Sequence, residues 1–311
     1  MLSLIKKKIQ GNRMNEFYQK LCRILSEDSI KIEEPMRNHT TFRIGGPAKF
    51  YLTPKTQEEL TEVANLCRKE GMPYYVIGNG SNLLVQDEGY EGAVISTEML
   101  NRIWVEGEEM IAQSGILLSR LAKAAAEESL MGLEFAAGIP GTLGGAVVMN
   151  AGAYGAEMKE VLLWAEVLDT NGQIQRLNTE ELKLGYRTSS ILSHGYLVLK
   201  AGLKLCKGLQ QEIYQKMEQL AMQRREKQPL EYPSAGSTFK RPKGYFAGKL
   251  IDDAGLRGFR IGDAQVSEKH CGFVINRGNA TASDVITLCN EVKRQVMETS
   301  GVALELEIKQ L

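Results

Sequence analysis

The sequence is poor in the residues that build metal centres and disulfide frameworks. It has only three histidines, His39, His194 and His270, and their spacing is not that of metal ligands. Its five cysteines contain no CxxC pair and are odd in number, which indicates reduced thiols and not a disulfide framework. We therefore expect no metal site and no disulfide bonds.

The sequence also lacks an excess of charge and a long apolar run. Lys+Arg and Asp+Glu both number 38, which argues against a nucleic-acid-binding protein, whose affinity comes largely from neutralised phosphates. No stretch approaches the roughly 18 apolar residues of a membrane span. The opening run Met1–Ile5 is too short for a secretory signal, and Met14 is a second candidate start. We expect a cytoplasmic protein with no nucleic-acid or membrane partner.

Strands and helices are predicted in mixed order, without the regular spacing of βαβ units, so the predicted fold class is α+β. A helical pattern runs to about Asp28, with Phe17 and Leu21 one helical turn apart. A long charged helix is predicted from Leu209 to about Lys227, and a different pattern follows Pro229. We predict an N-terminal helical extension (1–30), a two-part domain split near residues 100–110 (31–205), and a C-terminal domain (206–311).

Local signals predict several helix ends and turns. Thr56 is the predicted cap of a helix that Gly71 ends, and Thr281 with Asp284 forms a predicted capping box. Hairpin turns are predicted at Glu106-Gly107 and at residues 169–172.

Glycine is abundant, at 31 of 311 residues against an average of about 7%, and it is clustered. The first cluster, Gly78–Asn82, follows a predicted strand but lacks the third glycine and the helix of a dinucleotide-binding motif. Its backbone N–H groups, with Ser81 and Asn82, could bind a pyrophosphate, and the alternative is a plain turn between strands. Gly248-Lys249 is followed by Leu250, which excludes a phosphate-binding P-loop.

The second cluster, from Ala137 to Gly155, consists of small residues with almost no charge. Such a run lets the backbone pack flat against a large planar ligand and leaves amides free to bind the edge of that ligand. Its alternative interpretation is a tight contact between a helix and a sheet. Together with Gly45-Gly46, the two clusters favour a ligand-binding function.

Motifs in this order along the chain resemble the UDP-N-acetylenolpyruvoylglucosamine reductase (MurB) family, in its compact subtype that lacks an inserted tyrosine loop. The resemblance covers the chain from about Asn38 to the end. It rests on the two glycine clusters and on four further motifs: Asn38–Pro47, Gly185–Ser189, Ser234–Pro242 and Leu304–Lys309.

The resemblance implies a two-subdomain FAD-binding unit of the vanillyl-alcohol-oxidase type, followed by a C-terminal α+β substrate domain. It implies non-covalent FAD, NADPH as hydride donor, an enolpyruvyl UDP-sugar as substrate, and a monomer. It assigns cofactor binding to Gly45, Gly78, Asn79, Gly80, Ser81, Asn82, Gly138, Gly141, Thr142, Gly144, Gly145, Asn150, Ala151 and Gly152.

The resemblance also implies three catalytic residues, and the chemistry agrees with them. Hydride addition to an unsaturated carboxylate builds up negative charge, so the site needs a fixed cation and a proton donor. Arg187 can hold the carboxylate through its planar fork, and Ser237 can donate the proton if a cation such as Lys240 or Arg241 lies near. Glu307 would be the second group at the substrate carboxylate. Two carboxyl groups can lie this close only if one is protonated or if they share a proton.

Some assignments stay open at this level. Glu305 is an alternative to Glu307, because alternation along a strand would place both on one face. The family usually has a proline before this glutamate and an arginine two residues after it, where this chain has Leu306 and Lys309. Candidates for substrate binding are Tyr154, Lys227, Lys240 and Arg241.

Two competing functions remain. An FAD-dependent hydroxy-acid or alcohol oxidoreductase would share the cofactor fold but would lack the Ser237 motif and the terminal glutamate. A nucleotide-sugar-binding regulator without catalysis would not need Arg187, Ser237 and Glu307 to converge on one pocket.

Overall fold

The computed structural model describes residues 14–311. Its first part is a helix on a four-stranded sheet, in the order β1-β2-β5-β3, with β1 antiparallel to β2 and the remaining pairs parallel. Thr56 caps α2 by accepting a hydrogen bond from the Glu59 N–H, and the left-handed Gly71 ends that helix, as the sequence predicts. The elements are α1 (residues 14–21), β1 (Ile30–Pro35), β2 (Pro47–Leu52), α2 (Gln57–Glu70), β3 (Tyr74–Ile77), β4 (Leu83–Leu84) and β5 (Tyr90–Ser96).

The N-terminal helix is shorter than predicted, because it ends at residue 21 and turns follow it. Phe17, Leu21 and Leu25 are nevertheless all buried against β1, β2 and α2. The predicted extension therefore packs into the core of the first part, and truncating one such leucine to alanine would cost about 2–5 kcal/mol. Residues 1–13 of the predicted extension lie outside the described residues.

The second part is a five-stranded antiparallel sheet, in the order β12-β11-β13-β7-β6, covered by helices. Its hairpin turns at Gly107 and at Asp169–Gly172 match the sequence prediction. The elements are β6 (Ile103–Glu106), β7 (Glu109–Gln113), α3 (Leu118–Glu127), β8 (Leu130–Met131), α4 (Leu143–Val148), β9 (Gly152–Ala153), β10 (Ala156–Glu157), β11 (Leu162–Leu168), β12 (Ile174–Asn178), α5 (Thr179–Leu182), α6 (Ser190–His194), β13 (Leu197–Lys204), β14 (Cys206–Lys207) and α7 (Gln210–Lys227).

Helix α7 packs against α3 and β8 of the second part, where Met217 meets the core of that part. The C-terminal sheet starts only after this helix. The predicted boundary near residue 206 stays a prediction that this packing disfavours, and we propose a boundary after α7.

The C-terminal part is a four-stranded antiparallel sheet, in the order β15-β18-β17-β16, backed by the long helix α9. The predicted capping box of α9 is confirmed: Thr281 and Asp284 each accept a hydrogen bond from the other's backbone N–H. The elements are β15 (Ser234–Ser237), α8 (Ala247–Asp253), β16 (Arg260–Ile261), β17 (Ala264–Val266), β18 (Phe273–Asn276), α9 (Ala282–Ser300) and β19 (Lys309–Gln310).

The C-terminal part is tied back to the first part at two places. Strand β19 pairs in parallel with β4, directly after the first glycine cluster. Phe42 and Ile44 are buried in the core of the C-terminal part. These contacts hold the first glycine cluster against the C-terminal part. No helix among residues 14–311 is long and apolar enough to cross a membrane.

Candidate active site

Two cavities lie next to each other along strand β15. The first has a volume of 530 Å³, and its lining includes Ser234, Gly236 and residues of the first glycine cluster. The second has a volume of 340 Å³, and its lining includes Ser237. Because consecutive residues of one strand line both cavities, a ligand in the first can approach a ligand in the second.

The two glycine clusters meet in the wall of the first cavity. The side-chain amide of Asn79 donates a hydrogen bond of 2.7 Å to the Pro140 carbonyl. A Cβ atom at Gly78 would lie only 2.0 Å from Thr142 Oγ1, and one at Gly141 would lie 3.6 Å from Ser81 Oγ. Glycine is therefore required at residue 78 by the close approach of the second cluster.

Polar groups without partners point to an anionic ligand in this cavity. Thr142 Oγ1 is buried and has no hydrogen-bond partner. Arg224 lines the cavity beside Gly138, and within residues 14–311 its guanidinium has no ion pair. Burial lowers the pKa of Arg224. An unpaired guanidinium in the wall of a glycine-lined cavity fits a phosphate group, so Arg224 fits FAD and would hold its pyrophosphate.

Sequence reasoning missed Arg224, and only the helical phase of α7 distinguishes it from its neighbour. Arg225 is exposed and pairs with Glu218 across 2.8 Å, whereas Arg224 turns toward the glycines. A helical-wheel projection that oriented α7 by its buried residues Ile213 and Leu220 could have separated the two.

The other predicted cofactor residues fall into two groups. Gly45, Gly144 and Gly152 are explained by packing, since a Cβ atom would lie 2.6–2.8 Å from the nearest atom of Val85, Ser114 or Ala156. Of the remaining residues, Gly78 and Asn79 line the first cavity, and the others do not. Gly80 is left-handed, Asn82 donates to the Glu307 carbonyl, Gly145 lies in α4, and Ala151 accepts from the Met158 N–H.

Asn150 does not present its side chain to a cofactor. It is 1% exposed, and both its amide hydrogens and its carbonyl oxygen bond within the protein. The assignment of Asn150 to cofactor binding stays a prediction that only its backbone could meet, because no side-chain amide hydrogen is left for a ligand.

The second cavity brings together the three predicted catalytic residues, Arg187, Ser237 and Glu307. Arg187 Nε donates to Glu307 Oε1 across 2.5 Å. Glu307 is 8% exposed, and its other oxygen has no hydrogen-bond partner. Glu307 therefore pairs with the guanidinium through one carboxylate oxygen, while the second oxygen lies buried without a partner.

Backbone pairing places Ser237 and Glu307 side by side. The Glu307 N–H donates to the Thr238 carbonyl across 2.9 Å, and Phe239 forms a bridge with Leu306. Arg187 comes from a different part of the chain, in the tight turn from residue 185 to residue 188. Arg187 and Glu307, which are 120 residues apart in the sequence, thus pair in the second cavity.

Four further cations line the second cavity: Arg241, Lys249, Arg257 and Lys269. Of these only Arg241 was predicted, and it stacks over the Phe246 ring at 4.0 Å. His270 lies beside them, and burial lowers its pKa. Lys249, Arg257 and Lys269 each pair with a nearby acid, whereas Arg241 has no ion pair within residues 14–311 and is the cation left to attract an anionic ligand.

Several other residues that were predicted to bind the substrate do not line either cavity. Lys240 pairs with Glu305 across 2.9 Å, and both are exposed, so neither lines the second cavity. Glu305 and Glu307 do not share a face, because the segment before β19 is not a regular strand. Lys227 is exposed and lies outside the lining of both cavities. Tyr154 is 43% exposed and lies near Arg224, outside the cavity linings.

The class of protein follows from comparison with known domains and folds. Residues 48–178 match the model of an FAD binding domain. An alkyldihydroxyacetonephosphate synthase structure shares the fold, with 15% identity, a TM-score of 0.50, and coverage of 94% of this chain and 60% of that chain. The predicted α+β fold with a two-subdomain FAD-binding unit is confirmed. The protein is an FAD-dependent enzyme.

More similar relatives specify the family. Residues 228–311 match the UDP-N-acetylenolpyruvoylglucosamine reductase C-terminal domain. The chain is 51% identical to the UDP-N-acetylenolpyruvoylglucosamine reductase of Clostridium kluyveri, over 96% of this chain and 98% of that protein. The crystal structure of the reductase from Thermus caldophilus has a TM-score of 0.77 and 39% identity, and the match covers 90% of this chain and 99% of that chain. The chain belongs to the UDP-N-acetylenolpyruvoylglucosamine reductase family, whose members are flavin-dependent oxidoreductases.

Proposed function

We propose that this protein uses NADPH to reduce UDP-N-acetylglucosamine enolpyruvate to UDP-N-acetylmuramate, a step of peptidoglycan precursor synthesis. The observation that carries the proposal is the convergence of Arg187, Ser237 and Glu307 on one cavity beside the glycine clusters. We further propose that it acts in the cytoplasm as a monomer, on small molecules alone.

FAD, when bound, would supply a hydride that comes from NADPH, and the protein's own residues would hold the substrate and deliver the proton. The guanidinium of Arg187 holds the enolpyruvyl carboxylate and stabilises the negative charge that develops on it. Ser237, on the strand between the two cavities, donates the proton to the α-carbon after hydride reaches the β-carbon. The double bond thus gains one hydride and one proton, and no other co-reactant is needed.

Glu307 has a distinct role in this proposal. In the protein alone it neutralises Arg187, which would otherwise be a half-buried cation without a partner. When the substrate carboxylate arrives, the free oxygen of Glu307 can share a proton with it. Arg241 would hold the diphosphate of the UDP group.

Absorption spectroscopy tests this proposal directly. The purified protein is expected to show a flavin spectrum that bleaches with anaerobic NADPH and recovers when the enolpyruvyl UDP-sugar is added. A flavin that NADPH cannot bleach, but a hydroxy acid can, would support the oxidase alternative. A protein that binds no FAD would contradict the assignment of the first cavity.

A further inference from the structure

The backbone of Arg187 is held in an unfavourable conformation. Its φ is 55°, in the left-handed region that side-chain-bearing residues rarely adopt. It lies in a turn that Gly185 and Thr188 close with two reciprocal hydrogen bonds of 3.1 and 3.3 Å. Such a conformation persists only where the surroundings enforce it, so the contacts around this turn control the direction of the guanidinium.

Asn150, which follows α4, provides one of these contacts. Its amide donates 3.1 Å to the Gly185 carbonyl and 2.8 Å to Glu157 Oε2, and its oxygen accepts from the Lys159 N–H at 3.0 Å. Because two acceptors and one donor surround it, the amide has only one satisfactory orientation. Asn150 itself has a φ of 42°, which asparagine tolerates better than most residues.

Two further contacts secure the same assembly. Ser189, directly after the turn, donates 2.7 Å to the carbonyl of Val148 at the end of α4. Glu157 is fixed by an ion pair of 2.9 Å with Lys159. The turn is thereby attached on both sides to the C-terminal half of the second glycine cluster.

We propose that Asn150, together with Ser189, is a positioning residue that fixes the 185–188 turn and so aims Arg187 at the substrate carboxylate. This inference rests on the proposed function, because it concerns the same cavity. In this proposal the end of the second glycine cluster positions the 185–188 turn, a role other than cofactor binding. The segment that shapes the first cavity also sets the geometry of the second.

The variant Asn150→Gly removes the side chain and keeps a residue that adopts a positive φ without strain. We expect NADPH to reduce its flavin within about twofold of the wild-type rate. Reoxidation by the enolpyruvyl UDP-sugar should slow by roughly 10–100-fold, because displacement of a positioned group by about 1 Å has effects of this size. Stopped-flow absorbance at the flavin band measures both half-reactions.

A double-mutant cycle separates positioning from a purely structural effect. If Asn150 acts through Arg187, Asn150→Gly should slow reoxidation no further in an Arg187→Ala protein. Additive losses would overturn the proposal. So would loss of bound flavin, or equal slowing of both half-reactions, since either would return Asn150 to cofactor binding or to general stability.

Asn178→Gly is the matched control, because Asn178 caps α5 on the surface and lies outside both cavity linings. It should lower the melting temperature slightly without changing the rate of flavin reduction relative to the rate of reoxidation. If Asn150→Gly does not fold, Ser189→Ala is decisive: selective slowing of reoxidation supports the proposal, and unchanged reoxidation overturns it. A wild-type flavin that the sugar cannot reoxidise would instead count against the proposed function.

Discussion

Removal of the Ser237 hydroxyl should slow catalysis without changing the stability of the fold. The residue is half-buried in β15, lines the second cavity, and makes no side-chain hydrogen bond within residues 14–311. Ser237→Ala therefore leaves no partner unsatisfied, and the free energy of unfolding should change by less than about 0.5 kcal/mol. A general acid contributes about 10²–10⁴ in rate, so reoxidation should slow by that factor, or about 3–5 kcal/mol in activation free energy.

The assay for this variant follows the flavin in two separate mixing experiments. Reduction by NADPH should stay within about twofold of wild type, because no proton is delivered to the sugar in that step. Ser237→Cys is the matched control, since its thiol keeps a transferable proton and should restore part of the rate. Equal loss in both half-reactions, or unchanged reoxidation, would refute the assignment of Ser237 as proton donor.

Three other predictions follow from the geometry. Arg187→Lys should lower kcat/KM for the sugar about 10²–10³-fold at constant flavin reduction, because an ammonium lacks the planar fork; steady-state and half-reaction kinetics check this. Gly78→Ala should reduce the flavin content of the purified protein, since the added Cβ atom would meet Thr142 Oγ1 at 2.0 Å; the ratio of flavin to protein absorbance measures it. At pH 8 the exposed Cys206 should react quickly with a thiol reagent, whereas burial raises the pKa of Cys67 to about 12 and keeps that thiol protonated until the protein unfolds.

Each of these has an outcome that would contradict it. A lysine at residue 187 that supported normal turnover would show that one point charge suffices at the carboxylate. Gly107→Ala is the control for the glycine variant, because nothing lies within 4 Å of its added Cβ atom, and it should keep its flavin even though its φ of 62° adds backbone strain. Rapid modification of Cys67 in the folded protein would mean that its helix opens readily.

Local patterns predicted most of the elements, because short-range hydrogen bonds and periodicity decide them. Each helix cap involves residues within five positions of one another: Thr56 and Gly71 at the two ends of α2, and the capping box of α9 at Thr281. The hairpin at residues 169–172 is equally local. Such features do not depend on how the rest of the chain packs.

The N-terminal helix and the segment before β19 were predicted less well. The helical pattern through Leu25 is real, but the chain turns after residue 21 while keeping that leucine buried. Near the C-terminus the chain pairs briefly with Phe239 and then with β4, so the alternation of a regular strand breaks between Glu305 and Glu307. In both places, packing against distant segments determined the backbone conformation instead of the local pattern.

The sequence by itself determined the α+β class and the glycine clusters, and its resemblance to the MurB family pointed to Arg187, Ser237 and one of two terminal glutamates for the reaction. Only the tertiary structure decided that Glu307 and not Glu305 faces Arg187, that Arg224 turns toward the glycines, and that Asn150 is used inside the protein. The physical reason is distance along the chain. A side chain's partners are set by which segments pack together, and residue type and spacing do not encode this locally.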